Sequence, residues 1–503
     1  MEPEQAPAIV PRPFLRKARP PRTIAPPIRF KSTQAKKAGP FGPFPGPASA
    51  SAALASITPE QRLLQRATLG SSLYELEQID RLGYQGYLNA QLNPEKLDDS
   101  ELENALHEAL PTLSMSAAEI YLNDPDDFST GPYELLIATL YRALYSPRQL
   151  FEAMVVFWSD HFNIDLWSDS QHFLKPVDDR DVIRRHAMGK FPDLLRASAH
   201  SPAMLVYLTN DSNYKDAPNQ NYARELMELH CLGADNGYTQ RDVEEVARCF
   251  TGWTLDWDEE SDGFARFYFD EYAHDDGEKT VLGRRIPAGG GAQDGDRVLQ
   301  ILASHPNTAR FLARKLLVYF WGYAPPQTYI DQVAAVYQRT GGNIRAMLRA
   351  ILKRSWMATA TPKLKRPFHL LVSALRAMFS GADDPYYLLD QLDVAGHSPF
   401  AWSPPNGYPD ARGYWSGFLL PRWNFLTDLL DPETSGVQTD LSYLDPAMTP
   451  QALTRQIQWL VSNGTLSEST QNAVRAWLRG GRTPERIREA LALALSSPDF
   501  QDY

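Results

Sequence analysis

Apolar residues recur at three- and four-residue intervals through most of the chain after Thr58, the spacing that lays one stripe along an α-helix. Polar punctuation frames these runs. TPEQRLLQRATLG opens with Thr58 as N-cap, Pro59 at the first helical position and Gln61 as the reciprocal capping partner. SPRQLFEAMVVFWSDHF repeats the signal with Ser146, Pro147 and Gln149, and TQRDVEEVARCF does so with Thr239 and Asp242. Strand-like alternation is scarce. RFYFD (266–270) and KTVLG (279–283) are expected to pair as one small hairpin. NIRAMLRAILKRS (343–355) and RIREALALALSS (486–497) share a rhythm, a faint internal echo that amphipathic helices also produce by chance. The expected fold class is mainly α: one large multi-helix domain over residues 56–503 with at most a small β-hairpin.

Composition changes the picture at the start of the chain. Residues 1–55 are rich in proline and arginine, bury no core by composition, and are expected to be a disordered basic arm. Residues 1–46 carry about +7, so the rest of the −11 chain carries about −18. That acidic body repels a phosphate backbone, so no nucleic-acid partner is expected. No run of eighteen apolar residues predicts a membrane span. The basic start lacks the apolar stretch of a secretory signal, so a cytoplasmic location is the default expectation. Cys231 and Cys249 lie on separate predicted helices and make no disulfide framework. AGGGAQDG (288–295) is a loop without the ending of a phosphate cradle.

Three helices bring a histidine to their apolar side. On ARELMELHCLG, His230 falls beside Leu226 within the stripe of Tyr222, Ala223, Met227 and Leu229, and Gly233 suits a left-handed close. Arg224 and Glu228 face the other way, four apart, as a surface pair. His161 lies between Met154 and Trp158 in angle, and His186 follows Val182 by four and Ile183 by three. A buried imidazole needs partners for both nitrogens. Each can be satisfied singly as a structural residue, or together they can form a shared site for proton transfer or a metal. Glu225, at the edge of the stripe one turn before His230, is the carboxylate best placed to complete it. Asp160 adjoins His161 but points away by about 100°. The candidate catalytic set is therefore His161, His186, Glu225 and His230. The candidate metal set, for an unidentified divalent ion, is His161, Glu225 and His230.

NYARELMELHCLGADNGYTQRDVEEVARCFTGW closely resembles the hallmark segment of the bacterial family called domain of unknown function 1800. RATLG, FWSDHF, RRHAMGKFPDLL, YFDEYAHDDGEKTVLG, HPNTARFLARKL, SPFAWSPPNGYPDARGYW and SSPDFQ agree with it. The resemblance covers nearly the whole chain after residue 55. It implies no established activity. It does imply relatives that often look exported and are encoded beside a phosphatase/sulfatase-like family, domain of unknown function 1501 (DUF1501). The positions that carry over are His161, His186, Arg224, Glu225, Glu228, His274, Asp275, Lys279, His305 and Arg310; relatives allow an aromatic residue at 230.

Further candidates sit in loops and on one helix. HDDGEK places His274, Asp275 and Lys279 in a polar loop. Arg310, Arg314 and Lys315 share a helix whose cationic side could hold an anionic group or balance the acidic body. Trp402, Tyr408 and Trp415 belong to a proline-rich loop that either stacks on a substrate or packs over the helices. The expected substrate-binding set is His274, Asp275, Lys279, Arg310, Trp402, Tyr408 and Trp415. Two functions remain open. One is an enzyme, a metal-assisted hydrolase or an oxidoreductase, with a His/Glu pocket between helices. The other is a binding or assembly protein that docks the DUF1501 partner or a polysaccharide through the aromatic loop.

Overall fold

Thr58 begins the ordered helices as its spacing predicts. In the computed structural model its hydroxyl accepts from the Gln61 amide while the Gln61 side chain accepts from the Thr58 amide, and α1 (Pro59–Ala67) follows. The structure describes residues 57–503 apart from 124–127, 235, 379–380, 432–436, 440 and 463. The basic arm of residues 1–55 lies outside the described residues.

Helix α2 (Leu73–Gln91) bends at Gly83, whose φ of 67° only glycine adopts cheaply. Helix α3 (Thr130–Tyr145) is apolar almost all round and is buried accordingly. Helix α4 (Gln149–His161) departs from expectation at its start. Its N-cap is Arg148, not Ser146. Ser146 accepts from the Arg148 amide and donates to buried Asp99, while Gln149 reaches back to Leu69 and the carbonyls of Ala143 and Ser146. Tertiary partners outbid the local cap.

Two π-helical turns follow. One, Asp179–Arg184, continues α5 (Gln171–Asp178); the other, Leu226–Cys231, continues α6 (Asn221–Glu225). Each wider turn shifts the side-chain register that a 3.6-residue wheel assumes. Arg224 consequently meets Gln220 and Gln240 rather than Glu228. Gly233 closes the second helix at φ 91°, as its position predicts.

After α7 (Gln240–Cys249), capped by the Thr239–Asp242 box, come the first strands. The expected pairing of 266–270 with 279–283 does not form. β1 (Trp253–Leu255) pairs with β2 (Phe267–Phe269), and β3 (Lys279–Val281) with β4 (Arg284–Ile286), both antiparallel. Leu282 and Gly283, both at positive φ, turn the chain back at once, so β3 takes its neighbour from the next residues. A third short pair joins β5 (Gly381–Ala382) to β6 (Val437–Gln438). Mainly α is the right class, but with three small strand pairs among the described residues.

The rest is helical. α8 (Gln293–Ser304) leads to α9 (Pro306–Phe320), α10 (Gln327–Thr340) and α11 (Ile344–Ile351), which pack on one another. After α12 (Pro367–Ala377) and α13 (Leu419–Asp428), a second mutually packed trio follows: α14 (Pro450–Ser462), α15 (Glu468–Arg479) and α16 (Pro484–Leu495), closed by α17 (Pro498–Gln501). The two echoing stretches are α11 and α16, each the third helix of its trio. The segments beyond them meet: Lys363 and Tyr503 exchange both backbone hydrogen bonds, and the Lys365 amide donates to Gln501. Two large apolar clusters fill the interior, one around α4 and α9 and one around α3, α12 and α16. Tyr319 on α9 packs against both clusters, while the buried residues of that helix belong to the first. No helix among the described residues is long and apolar enough to cross a membrane.

Candidate functional site

The stripe of α4 carries His161 inward to 1% exposure, packed by Trp158 and Phe162, with the Trp158 indole anchored on the Ala187 carbonyl at 3.0 Å. Both ring nitrogens are engaged. Nε2 lies 3.0 Å from the His230 carbonyl oxygen and Nδ1 lies 2.9 Å from Lys315 Nζ. A carbonyl only accepts and an ammonium only donates, which fixes a neutral ring with its proton on Nε2. Burial holds the His161 imidazole well below its ordinary pKa, with Lys315 and His230 adding to the effect.

Lys315 comes from α9. Its neighbours Arg310 and Arg314 are exposed, while Lys315 turns inward and is half-buried over Phe311. Burial brings its ammonium down to about 8; Asp160 opposes that and Arg366 reinforces it. Asp160, next to His161 on α4, is paired with Arg366. Asp410 lies 3.9 Å from Arg366 and accepts from buried Lys363 at 2.7 Å. Against its burial, these cations hold the Asp410 carboxyl below its ordinary value. The aromatic loop closes over this chain of charges. Gly407, at φ 70°, presses so tightly on the Asp160 carbonyl that no Cβ fits there. Asn163 ties the loop down through the carbonyls of Trp402 and Pro404, at 2.7 and 2.9 Å.

The expected residues divide. His161 and His230 do meet, with ring centroids 5.9 Å apart. His186 stands apart, half-buried, its pKa lowered by burial and by Arg185. Glu225 is half-buried, its carboxyl pKa raised by burial and then by Glu228, and hydrogen bonds join it to neither imidazole. Among the described residues no three His, Cys, Asp or Glu side chains are grouped to hold a metal ion. His274, Asp275 and Lys279 form a separate knot. Lys279 donates to Asp294 at 2.7 Å, His274 Nδ1 lies 2.7 Å from the Thr251 carbonyl, and Arg248 grips Asp275 at 2.7 and 3.2 Å. Arg310 is exposed, 3.9 Å from Asp331. His305 caps α9, accepting from the Asn307 amide at 3.1 Å. Trp415 is fully buried, Tyr408 nearly so, and Trp402 packs on Tyr408 and Tyr414 while its indole donates to Asn406. Sequence reasoning missed Arg366, Lys363 and the role of Asp410. The available signal was KLKR (363–366), three cations in four residues with no neighbouring acid.

His230 is buried at 1%, its Nε2 has no partner among the described residues, and burial, then Lys315, brings its pKa down to about 3. The sign of the pH effect follows. Below about pH 6.5 the unfolded histidine binds a proton that the folded one refuses, so stability falls as pH drops from there toward 3. His230→Phe removes one such proton. The variant is expected to be at least as stable at pH 7 and to lose stability less steeply between pH 6.5 and 5, read from urea unfolding at each pH. An unchanged slope would count against a neutral buried His230.

The fold and site define a mainly helical protein with a Lys–His–Asp–Arg cluster where α4, α9 and the aromatic loop converge. The chain belongs to the family described as protein of unknown function (DUF1800), whose model matches residues 62–502. No curated protein and no solved structure matches it.

Proposed function

We propose that this DUF1800 protein is an enzyme whose proton-transfer group is Lys315. The observation that carries the proposal is the 2.9 Å contact between Lys315 Nζ and the lone pair of a neutral His161, in a setting that brings the ammonium down to about 8. A lysine tuned to that range serves as general base in its amine form and as general acid in its ammonium form near neutral pH. In a hydrolysis the amine takes a proton from the attacking water, and the resulting ammonium returns one to the leaving group. Lys315 suits an anionic substrate, because the neighbouring carboxylate of Asp160 is already committed to Arg366. His161 positions the amine by accepting one of its N–H bonds. A metal at His161 Nδ1 would displace Lys315, so the divalent-metal variant of this proposal requires the lysine to swing away first.

The test compares metabolites of a cell extract before and after incubation with wild-type protein and with Lys315→Met. Anionic compounds consumed by the wild type alone support the proposal. Identical profiles from the two proteins oppose it. A second proposal, docking of a DUF1501-type partner or a polysaccharide, draws on one observation. Leu420 and Trp423 on α13, just beyond the aromatic loop, are 65% and 44% exposed.

A further inference from the structure

A cavity of about 310 Å³ opens where the end of α13, the chain around β6 and the first turn of α16 meet. Local chemistry sets its walls. Thr483 caps α16 by accepting from the Arg486 amide, and Pro484 takes the first helical position. That start brings Ile487 and Arg488 side by side to the cavity. Leu429 and Leu430, which close α13, join Ile487, Val437 and Leu444 as an aliphatic floor. Each of the five is at most 7% exposed and belongs to the second apolar cluster. The rim differs. Pro446 and Pro484 are exposed, and Arg482 Nε donates to the Pro446 carbonyl at 3.1 Å, which ties the two sides together.

Arg488 is the one charged side chain among the described lining residues. Its guanidinium meets only Glu485 among the described residues, 3.6 Å away and 68% exposed. That distance is too long for a hydrogen bond, and an exposed pair of this kind contributes little. A carboxylate seated in the cavity is better placed. The apolar floor shields it from water, and the planar guanidinium offers it two parallel N–H bonds. The floor asks for hydrocarbon, because aliphatic walls left to water forfeit contacts that a chain of methylenes supplies. The size sets the length. About 310 Å³ is the liquid volume of roughly ten waters, which accommodates roughly ten non-hydrogen atoms and excludes a phospholipid or a peptide helix.

We propose that this cavity binds a medium-chain monocarboxylate, its aliphatic tail on the leucine floor and its carboxylate on Arg488. The site stands whether or not Lys315 performs chemistry.

The test is equilibrium dialysis of the full chain against radiolabelled octanoate, with octanol and acetate as competitors. Saturable binding of one octanoate per chain is expected at free concentrations below about 1 mM, the affinity that roughly ten atoms reach at ordinary ligand efficiency. Octanol, which has the chain without the charge, and acetate, which has the charge without the chain, should each compete at least tenfold more weakly. Arg488→Gln alters a partly exposed side chain, so it is expected to fold and to bind octanoate at least tenfold more weakly. Leu441→Trp adds bulk to a half-buried lining residue and should weaken binding by a similar factor. Absence of saturable octanoate binding by the wild type, wild-type affinity in either variant, or competition by octanol as strong as by unlabelled octanoate would each overturn the proposal.

Discussion

Asp294→Ala is expected to destabilise the protein by about 3–5 kcal/mol, the range for stranding one member of a buried ion pair. Asp294 and Lys279 have side chains with no solvent exposure, joined at 2.7 Å, and Arg297 adds a second contact at 3.1 Å. His274 Nε2 lies 3.6 Å from the same carboxylate. Without Asp294, Lys279 keeps only the Asp275 carbonyl. Urea unfolding measures the loss. The double variant Lys279→Met/Asp294→Leu discriminates between roles, since replacing both partners by apolar groups of similar volume is often near neutral. Recovery of most of the stability, with any turnover intact, marks the His274–Lys279 knot as architecture that holds the β3–β4 hairpin against α7 and α8. Loss of a ligand or an activity in a well-folded double variant would restore the knot to the substrate-binding set.

Lys315→Met is expected to act in the opposite sense on the two observables. Positioned acid–base groups contribute about 10²- to 10⁴-fold to rate, so turnover of a substrate found by metabolite comparison should fall by that much. Stability should hold or rise, because the substitution removes a half-buried cation whose charged form the site disfavours. The residual cost is the unfilled acceptor on His161 Nδ1, about 1 kcal/mol or a little more. Lys315→Arg keeps a charge yet cannot lose its proton, so it should be as inactive as Lys315→Met. Full turnover in either variant contradicts a proton-transfer role.

The inward direction of His161 and His230 was legible because an apolar stripe of 3.6-residue period fixes which positions face a core. The caps at Thr58 and Thr239 formed because their partners lie three residues along, within reach of local chemistry. The cap at Ser146 failed because Asp99 and Leu69, some 47 and 80 residues away, compete for Ser146 and Gln149. The Arg224–Glu228 pair failed because a π turn has no signature in periodicity. Lys315 was visible only as one cation among three on a helix. Its partner His161 is 154 residues distant, and which of three cations turns inward depends on how α9 packs against its neighbours. Arg366, Asp410 and Lys363 belong to segments that meet only in three dimensions.

Nuclear magnetic resonance titration of protein carrying ¹³C at the lysine ε-carbon tests the Lys315–His161 centre most directly. Buried Lys363 and Lys365 are also lowered, to about 8 and about 7, so the Lys315 signal is assigned by its disappearance in Lys315→Arg. That signal is predicted to titrate near 8, well below the usual lysine value of about 10.4. A Lys315 signal that titrates above 10 would contradict the centre, and with it the proposed enzyme.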